Sequence, residues 1–562
     1  MGALASLSQR IRPHSAFLLI LTLAGVMYFA YLGDMRQFLR AESYFALGSK
    51  MMLETGDGLL MHSFQELPLN KPPLEYWVIG LSFSTFGSDY GPARAPSGIF
   101  ALLTLVIVYA FASRTYGKLV GLAAATMTAT SVFFIAFARL AMPDMMLAFF
   151  ISGALFALLI GSREEGGNKS WIWIAYVLIG LGFLTKGPLA GVLGIAPFFV
   201  EAVWSRDLAL IRRLRLLSGF AIFALVAAPY FVLVYLRDGI EPLKNWFINE
   251  NLRRFNGELY ASPRPMWQYP FESFATGFFP WSLLIPAVWF YDIRHRERSI
   301  ERRPLRILNI AIVLTVTFFA VSKFRLDYYI LPIIPAASIV TARLVDEMQV
   351  SRIFSRRVLV AFTCVISVPM GILAAILLSG RLQSSLPDVP GLWLAGLTVL
   401  AGIIPSIIFL RNNLRRLLPF AVATSVFVGA CVTFYVANSQ IEKLQPVDEL
   451  ATKIPENADV YALPSADGWA QDLMFHLPSK KPLMFLPKDE TGAAELKRIL
   501  QSPKPAAALV YKKDLEKAGI TEDNLNVIDG GTVYRGRSIS VRTLQDPDYD
   551  ELQIVTNQIP PP

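Results

Sequence analysis

The sequence predicts a mainly α-helical integral membrane protein of about thirteen transmembrane helices, closed by a C-terminal extracytoplasmic α/β domain. Three observations carry that prediction. Hydrophobic residues fill 54% of the 562 positions and charged residues only 17%, where a soluble domain averages about 25% charge. Apolar runs close to the roughly 20 residues that cross a bilayer recur along most of the chain. From about residue 445 onward the pattern changes to mixed polar and charged sequence with short β-type runs. An excess of 52 Lys+Arg over 43 Asp+Glu, a net charge of +9, fits basic cytoplasmic loops and argues against nucleic-acid binding. Cys364 and Cys431 both lie in apolar runs, which indicates neither a disulfide framework nor a metal knuckle.

Taken in order, Arg10 and Arg12 precede the apolar run 16–32, behind which no small-residue cleavage site follows. This reads as an uncleaved first helix with a cytoplasmic amino end. The run 74–86 is short for a span and reads as a juxtamembrane or re-entrant helix. Further spans are expected near 96–113, 118–137, 142–161, 171–186, 189–205, 216–236, 274–291, 306–322, 329–345, 357–379, 391–410 and 417–437. With this set, every second connection is basic. These connections hold Arg114 and Lys118; Arg163 and Lys169; Arg206, Arg212, Arg213 and Arg215; Arg294, Arg296, Arg298, Arg302 and Arg303; Arg352, Arg356 and Arg357; and Arg411, Arg415 and Arg416. Retained Lys and Arg mark cytoplasmic loops, so the carboxyl end falls outside. There, 460–463, 508–511 and 538–541 read as strands and the stretch near 493–501 as a helix. The expected division is a membrane domain over 1–444, with a long first outer loop at 34–74, and a soluble domain over 445–562.

Ionisable residues near hydrocarbon are costly and mark function. Here they gather at the outer ends of the spans. The first outer loop holds Asp34, Arg36, Arg40, Glu42, Glu54, Asp57, Glu66 and Lys71, and Arg94, Arg139, Asp144, Lys186, Arg253, Arg254, Arg264, Lys323, Arg325 and Asp327 follow. Cations in excess over a few carboxylates at one membrane surface suit a phosphate-bearing substrate.

Seven segments carry a resemblance: ESYFALGSKMMLETGD at 42–57, LNKPPLEYW at 69–77, ARLAMPDM at 138–145, FLTKGP at 183–188, NENLRRF at 249–255, FPWS at 279–282 and YILP at 329–332. In this order and spacing they resemble the membrane glycosyltransferases of the protein mannosyltransferase and aminoarabinose (lipid A) transferase type, over about residues 15–440. The terminal domain is similar in position and size to the periplasmic domain of those enzymes. The resemblance implies a GT-C helical bundle in a bacterial inner membrane with a periplasmic active face. It implies transfer, with inversion, of a sugar from a polyprenyl phosphate to a lipid such as lipid A, a glycan or a protein.

Residue by residue, the resemblance makes Lys71 a phosphate-contacting lysine, Tyr329 a lipid-phosphate tyrosine, Lys186 a cavity lysine and Asp144 the second outer carboxylate. Arg139 stands five residues before Asp144, and one of Arg253, Arg254 or Arg264 is expected to complete the phosphate site. Where the family carries an Asp-Glu pair in the first loop, this chain has Ala41-Glu42, which leaves Glu42 as the expected catalytic acid beside Asp144. Asn70 replaces the acid often found before Lys-Pro-Pro, and His14, His62, His295 and His476 are scattered. From these departures no divalent metal, and no cofactor beyond the lipid-linked donor, is expected. A phosphate acceptor, already ionised, would need less base than a hydroxyl. Two other readings stand beside this one: a transporter or flippase of lipid-linked sugars, and a carrier-binding relative without catalysis.

Overall fold

A computed structural model describes residues 13–34, 36, 38, 40–59, 71–164, 166–258, 265–294, 302–350, 447–477, 483–487, 490–517, 526–534 and 549–557, and the single positions 404, 420, 423 and 426. Helices α1 (Pro13–Phe29), α2 (Arg40–Thr55), α3 (Leu74–Phe86), α4 (Tyr90–Tyr116), α5 (Lys118–Ala129), α6 (Val132–Phe137), α7 (Pro143–Gly161), α8 (Lys169–Lys186), α9 (Leu189–Ser205) and α10 (Leu216–Asp238) come first. A π-helical stretch, Asn245–Arg253, then leads to α11 (Gln268–Gly277), α12 (Ile285–Arg294), α13 (Arg303–Val321) and α14 (Ile334–Val350). Among the described residues five helices are long and apolar enough to cross a membrane, or six if one bent pair is a single span. The expected spans 357–379, 391–410 and 417–437 lie outside the described residues except for those four single positions.

Helix α4 begins at Tyr90, six residues ahead of the expected 96, because Asp89 caps it: its Oδ1 accepts from the Tyr90 amide at 2.7 Å. Pro96 inside this helix has no N–H to give back to Pro92. The freed Pro92 carbonyl instead accepts the Ser82 hydroxyl of α3 at 2.7 Å, which fastens α3 to α4.

Two expected spans turn out to be broken. The run 118–137 is interrupted between α5 and α6, and the run 274–291 is bent by 116° between the helices Phe271–Gly277 and Trp281–Arg294. The breaks repair each other. The Val132 amide donates to the Phe279 carbonyl at 3.1 Å, and the Trp281 indole donates to Thr130 Oγ1 at 3.0 Å. Backbone groups freed at a break need partners in apolar surroundings, and the facing break supplies them.

The C-terminal region holds α15 (Val447–Thr452), β1 (Asp459–Ala462), α16 (Asp467–His476), β2 (Leu483–Phe485), α17 (Glu490–Leu500), β3 (Ala506–Tyr511), α18 (Lys512–Lys517), β4 (Asn526–Tyr534) and β5 (Tyr549–Thr556). The strands form one sheet in the order β2-β1-β3-β5-β4, with β1 parallel to β2 and β3, and β5 antiparallel to both of its neighbours. The expected strands near 460 and 508 are β1 and β3, and 538–541 lies outside the described residues. Strands β4 and β5 gave no sequence signal, since Asp529-Gly530-Gly531 interrupts one and Asp550, Glu551 and Gln553 dilute the other.

Helix α16 docks this sheet on Phe38 and Tyr90, between α1 and the start of α4. Asp472, fully buried, accepts from the Phe38 amide at 3.0 Å and the Tyr90 hydroxyl at 3.3 Å. His476 Nε2 lies 2.8 Å from the same hydroxyl, and Phe475 packs edge-on against Phe38 at 5.1 Å between ring centres. Arg36 and Asp448 form an ion pair alongside.

Candidate active site

Five elements deliver charged side chains to one place. Lys71 precedes Pro72-Pro73, whose fixed φ angles hold it at the mouth of α3. Its Nζ donates to Glu250 Oε2 at 3.0 Å. Glu250 sits in the π-helical stretch and also accepts from Arg254 Nη1 at 2.8 Å, while the Arg254 guanidinium lies 4.4 Å from the centre of the Phe324 ring. Lys186, the last residue of α8, donates to Asp144 Oδ1 at 2.6 Å. Asp144 enters in the first turn of α7 directly after Pro143, where the helix's positive end favours a carboxylate. Lys186 also stands 4.8 Å from the centre of the Tyr329 ring and 5.6 Å from that of Tyr328.

Depth separates the members of this group. Lys71, Glu250, Arg254 and Lys186 are each between 15% and 24% exposed at the side chain. Asp144 is buried, and its Oδ2 has no hydrogen-bond partner. Glu75, in the first turn of α3, is 1% exposed and without a partner for either carboxylate oxygen. Burial drives the Glu75 carboxyl up to about 8, with nearby Asp144 adding to the rise and Lys186 opposing it. Burial likewise pulls the Lys71 ammonium down to about 8, against the pull of Glu250 in the other direction. The arrangement is a mostly buried group of cations paired with two carboxylates, together with a buried carboxyl that has no hydrogen-bond partner.

Of the residues expected from sequence, Lys71, Asp144, Lys186, Arg254 and Tyr329 meet here. Arg253 pairs elsewhere, with Glu258 at 2.9 Å and Asn249 at 3.1 Å, on an exposed face. Arg264 lies outside the described residues. Arg139 ties down the end of α1, donating to the carbonyls of Met27 at 2.9 Å, Tyr28 at 3.2 Å and Tyr31 at 3.4 Å.

Glu42 is 0% exposed. It accepts from Arg94 Nε at 2.9 Å and Nη2 at 3.3 Å, and from the Ala141 amide at 2.9 Å. It therefore anchors the loop that presents Asp144 three residues later. Sequence reasoning passed over Glu75 and Glu250. Both stand inside quoted motifs, but an acid in a first helical turn reads as a dipole partner, and Glu250 reads as an i,i+4 partner of Arg254. Among the described residues no group of three or more His, Cys, Asp or Glu is gathered to hold a metal ion.

The crystal structure of ArnT from Cupriavidus metallidurans bound to undecaprenyl phosphate superposes with a TM-score of 0.77 at 21% identity, over 96% of this chain and 98% of that one. The chain shares the fold of that protein. The family described as dolichyl-phosphate-mannose-protein mannosyltransferase matches residues 70–233, a stretch that takes in Lys71, Glu75, Asp144 and Lys186. An undecaprenyl phosphate-α-4-amino-4-deoxy-L-arabinose arabinosyl transferase of Pseudomonas aeruginosa is 28% identical, over 59% of this chain and 60% of that protein. An uncharacterized protein of Aquifex aeolicus is also 28% identical, over 60% of this chain and 65% of its own length. The chain thus spans 60 to 65% of the length of these two curated relatives. A Yersinia pestis transferase of the same description is 24% identical, over 80% of this chain and 81% of that protein.

Proposed function

We propose that this GT-C protein transfers a sugar from a polyprenyl phosphate to a lipid acceptor of the lipid A type, with inversion, on the extracytoplasmic face of a bacterial inner membrane. The observation that supports this most is the ring of Lys71, Lys186 and Arg254 beside Tyr329, in a bundle shared with a protein that holds undecaprenyl phosphate. Glu250 and Asp144 pair with these cations where phosphate oxygens would go. A lipid phosphate exchanges these internal partners for its own oxygens, and the three cations then lie where charge builds on the leaving phosphate. Preorganised cations in a water-poor site lower the barrier because they need no reorganisation as the charge develops. Tyr329, packed against Lys186, orients the phosphate end of the carrier. The carrier travels in the bilayer and the acceptor approaches from outside it, so the soluble C-terminal region belongs on the acceptor side.

The test is mass spectrometry of lipid retained by the purified protein after incubation with undecaprenyl phosphate. Wild type retains the carrier, and Lys71→Ala, folded as judged by its thermal midpoint, loses it. Equal retention in both proteins, or none in wild type, overturns the assignment.

A further inference from the structure

The cations of this site do not meet a phosphate alone, because carboxylates already stand among them. Lys71 and Arg254 converge on a single oxygen, Glu250 Oε2, at 3.0 Å and 2.8 Å. Ring contacts carry the group across to the second pair. The Arg254 guanidinium lies 4.4 Å from the centre of the Phe324 ring, the Phe324 and Tyr329 ring centres are 6.4 Å apart, and Lys186 Nζ lies 4.8 Å from the centre of the Tyr329 ring. Lys186 in turn donates to Asp144 Oδ1 at 2.6 Å. Three cations and two carboxylates thus form one contact-linked group, with a single positive charge in excess. Asp144 is buried and answers Lys186 one to one, whereas Glu250 is partly exposed and divides one oxygen between two cations.

Glu250 is also held in place. In its helical stretch, Asn249 Nδ2 donates to Asn245 Oδ1 at 2.6 Å, Arg253 Nη1 to Asn249 Oδ1 at 3.1 Å, and Asn251 Nδ2 to the carbonyl of the buried Trp246 at 2.9 Å. A phosphate that takes over the donors of Lys71 and Arg254 displaces the Glu250 oxygen from its hydrogen bonds. The carboxylate stays tethered beside the ligand, and its charge stays with it.

The two lipids that such a site handles differ in charge. A sugar joined to a polyprenyl phosphate is a phosphodiester with one negative charge. In the transfer the acceptor oxygen's electron pair forms the new bond to the anomeric carbon, and any proton on that oxygen goes to water. The bond from that carbon to the bridging oxygen breaks, and its pair stays on the phosphate. The spent carrier is therefore a phosphomonoester, which carries about −1.5 to −2 at neutral pH. One excess positive charge balances the diester and falls short of the monoester.

We propose that Glu250 is the residue by which the site tells the donor from the spent carrier: its tethered charge matches the cation group to a phosphodiester and disfavours the phosphomonoester that the transfer leaves behind. This rests on the transferase reading above. A like charge within about 4–6 Å is worth a pK unit or more, so roughly 10-fold for each charge on the ligand. Removing it favours a doubly charged lipid over a singly charged one by one such factor.

The full-length purified protein in detergent is titrated with undecaprenyl phosphate and with its methyl ester, the same lipid with one charge fewer. The pH is 7, below the value near 8 at which burial strips Lys71 of its proton. Glu250→Gln, which keeps the shape and removes the charge, is expected to tighten the monoester by about 100-fold and the diester by about 10-fold. Their Kd ratio then moves about 10-fold toward the monoester. The same shift is expected in a Lys71→Arg background, where the cation stays charged without Glu250. Glu250→Asp keeps the charge and the wild-type ratio. A misfolded fraction lowers binding of both lipids alike, so the ratio still reports the site. Equal changes for the two lipids in Glu250→Gln, or a weakened monoester, overturn the inference and leave Glu250 as a brace for the cations. A wild type that binds neither lipid overturns the carrier reading itself.

Discussion

Glu42 and Glu75 lie on helices α2 and α3, which pack against each other, and both are buried. Glu42 meets a guanidinium, two of whose nitrogens face its oxygens, and a backbone amide. Glu75 meets no hydrogen-bond donor. The same side chain at nearly the same depth is therefore fully partnered in one case and without a hydrogen-bond partner in the other. Burial is common to both, so it identifies neither. What distinguishes them is whether the surroundings complete the charge: a completed carboxylate fixes its neighbours, and an incomplete one waits for a ligand.

The largest break in this comparison comes from Arg94. Removing one partner of a buried pair leaves the other charge uncompensated, so Arg94→Ala should cost about 3–5 kcal/mol. A thermal melt in detergent reads it, and a midpoint near wild type would mean that Glu42 has other support. Next in size is Lys71. A hydrogen bond to a charged group is worth about 1.5–3 kcal/mol, so Lys71→Ala should weaken undecaprenyl phosphate retention by roughly 10- to 100-fold. Burial holds the Lys71 ammonium near 8, so retention falls as pH rises past that value. Lys71→Arg, which stays charged, keeps its retention at higher pH.

Stability against pH sharpens the contrast further. Folded, Glu75 keeps its proton up to about 8, whereas an unfolded glutamate releases it near 4.5. Between those values the folded state binds more protons, so stability falls as pH rises, and Glu75→Gln removes that slope. Lys71 acts in a higher window with the opposite sign. Unfolded it holds its proton to 10.5 and folded only to about 8, so stability rises with pH between the two. Denaturant midpoints at pH 5, 7 and 9 for wild type and Glu75→Gln separate these contributions. The smallest effect expected is at Ser82, where Ser82→Ala strips the Pro92 carbonyl of its donor. The cost is about 1 kcal/mol, the net worth of an ordinary hydrogen bond, seen as a slightly lower midpoint.

Much of this architecture was legible in the chain. The basic loops and apolar runs mark the helices, and Leu74–Phe86 is a helix where one was expected. The breaks at 130–131 and 278–280 were not legible, because each is stabilised by the other across 151 residues between Thr130 and Trp281. Sequence shows how many polar groups a run contains but not that a second interrupted run will meet them. The site divides in the same way. Lys71, Asp144, Lys186, Arg254 and Tyr329 share a signal, a charged or aromatic residue at a helix end, and they converge. Arg139 and Glu42 carry that signal too, yet one donates to backbone carbonyls and the other accepts from an arginine 52 positions away. The partner decides the role, and the partner is a property of the fold.

The clasp between α16 and the segment around Phe38 has a consequence in time. The Phe38 amide finds Asp472 across 434 positions of chain. At about 5–20 residues per second of synthesis, the earlier segment waits roughly 20–90 seconds for the later one to emerge. Until then the rings of Phe38 and Tyr90 lack Phe475 and His476 as their cover. A ribosome stalled before residue 472 would leave a nascent protein whose segment around Phe38 is made but unlatched, so synthesis past Asp472 is also the moment when that early segment is finished.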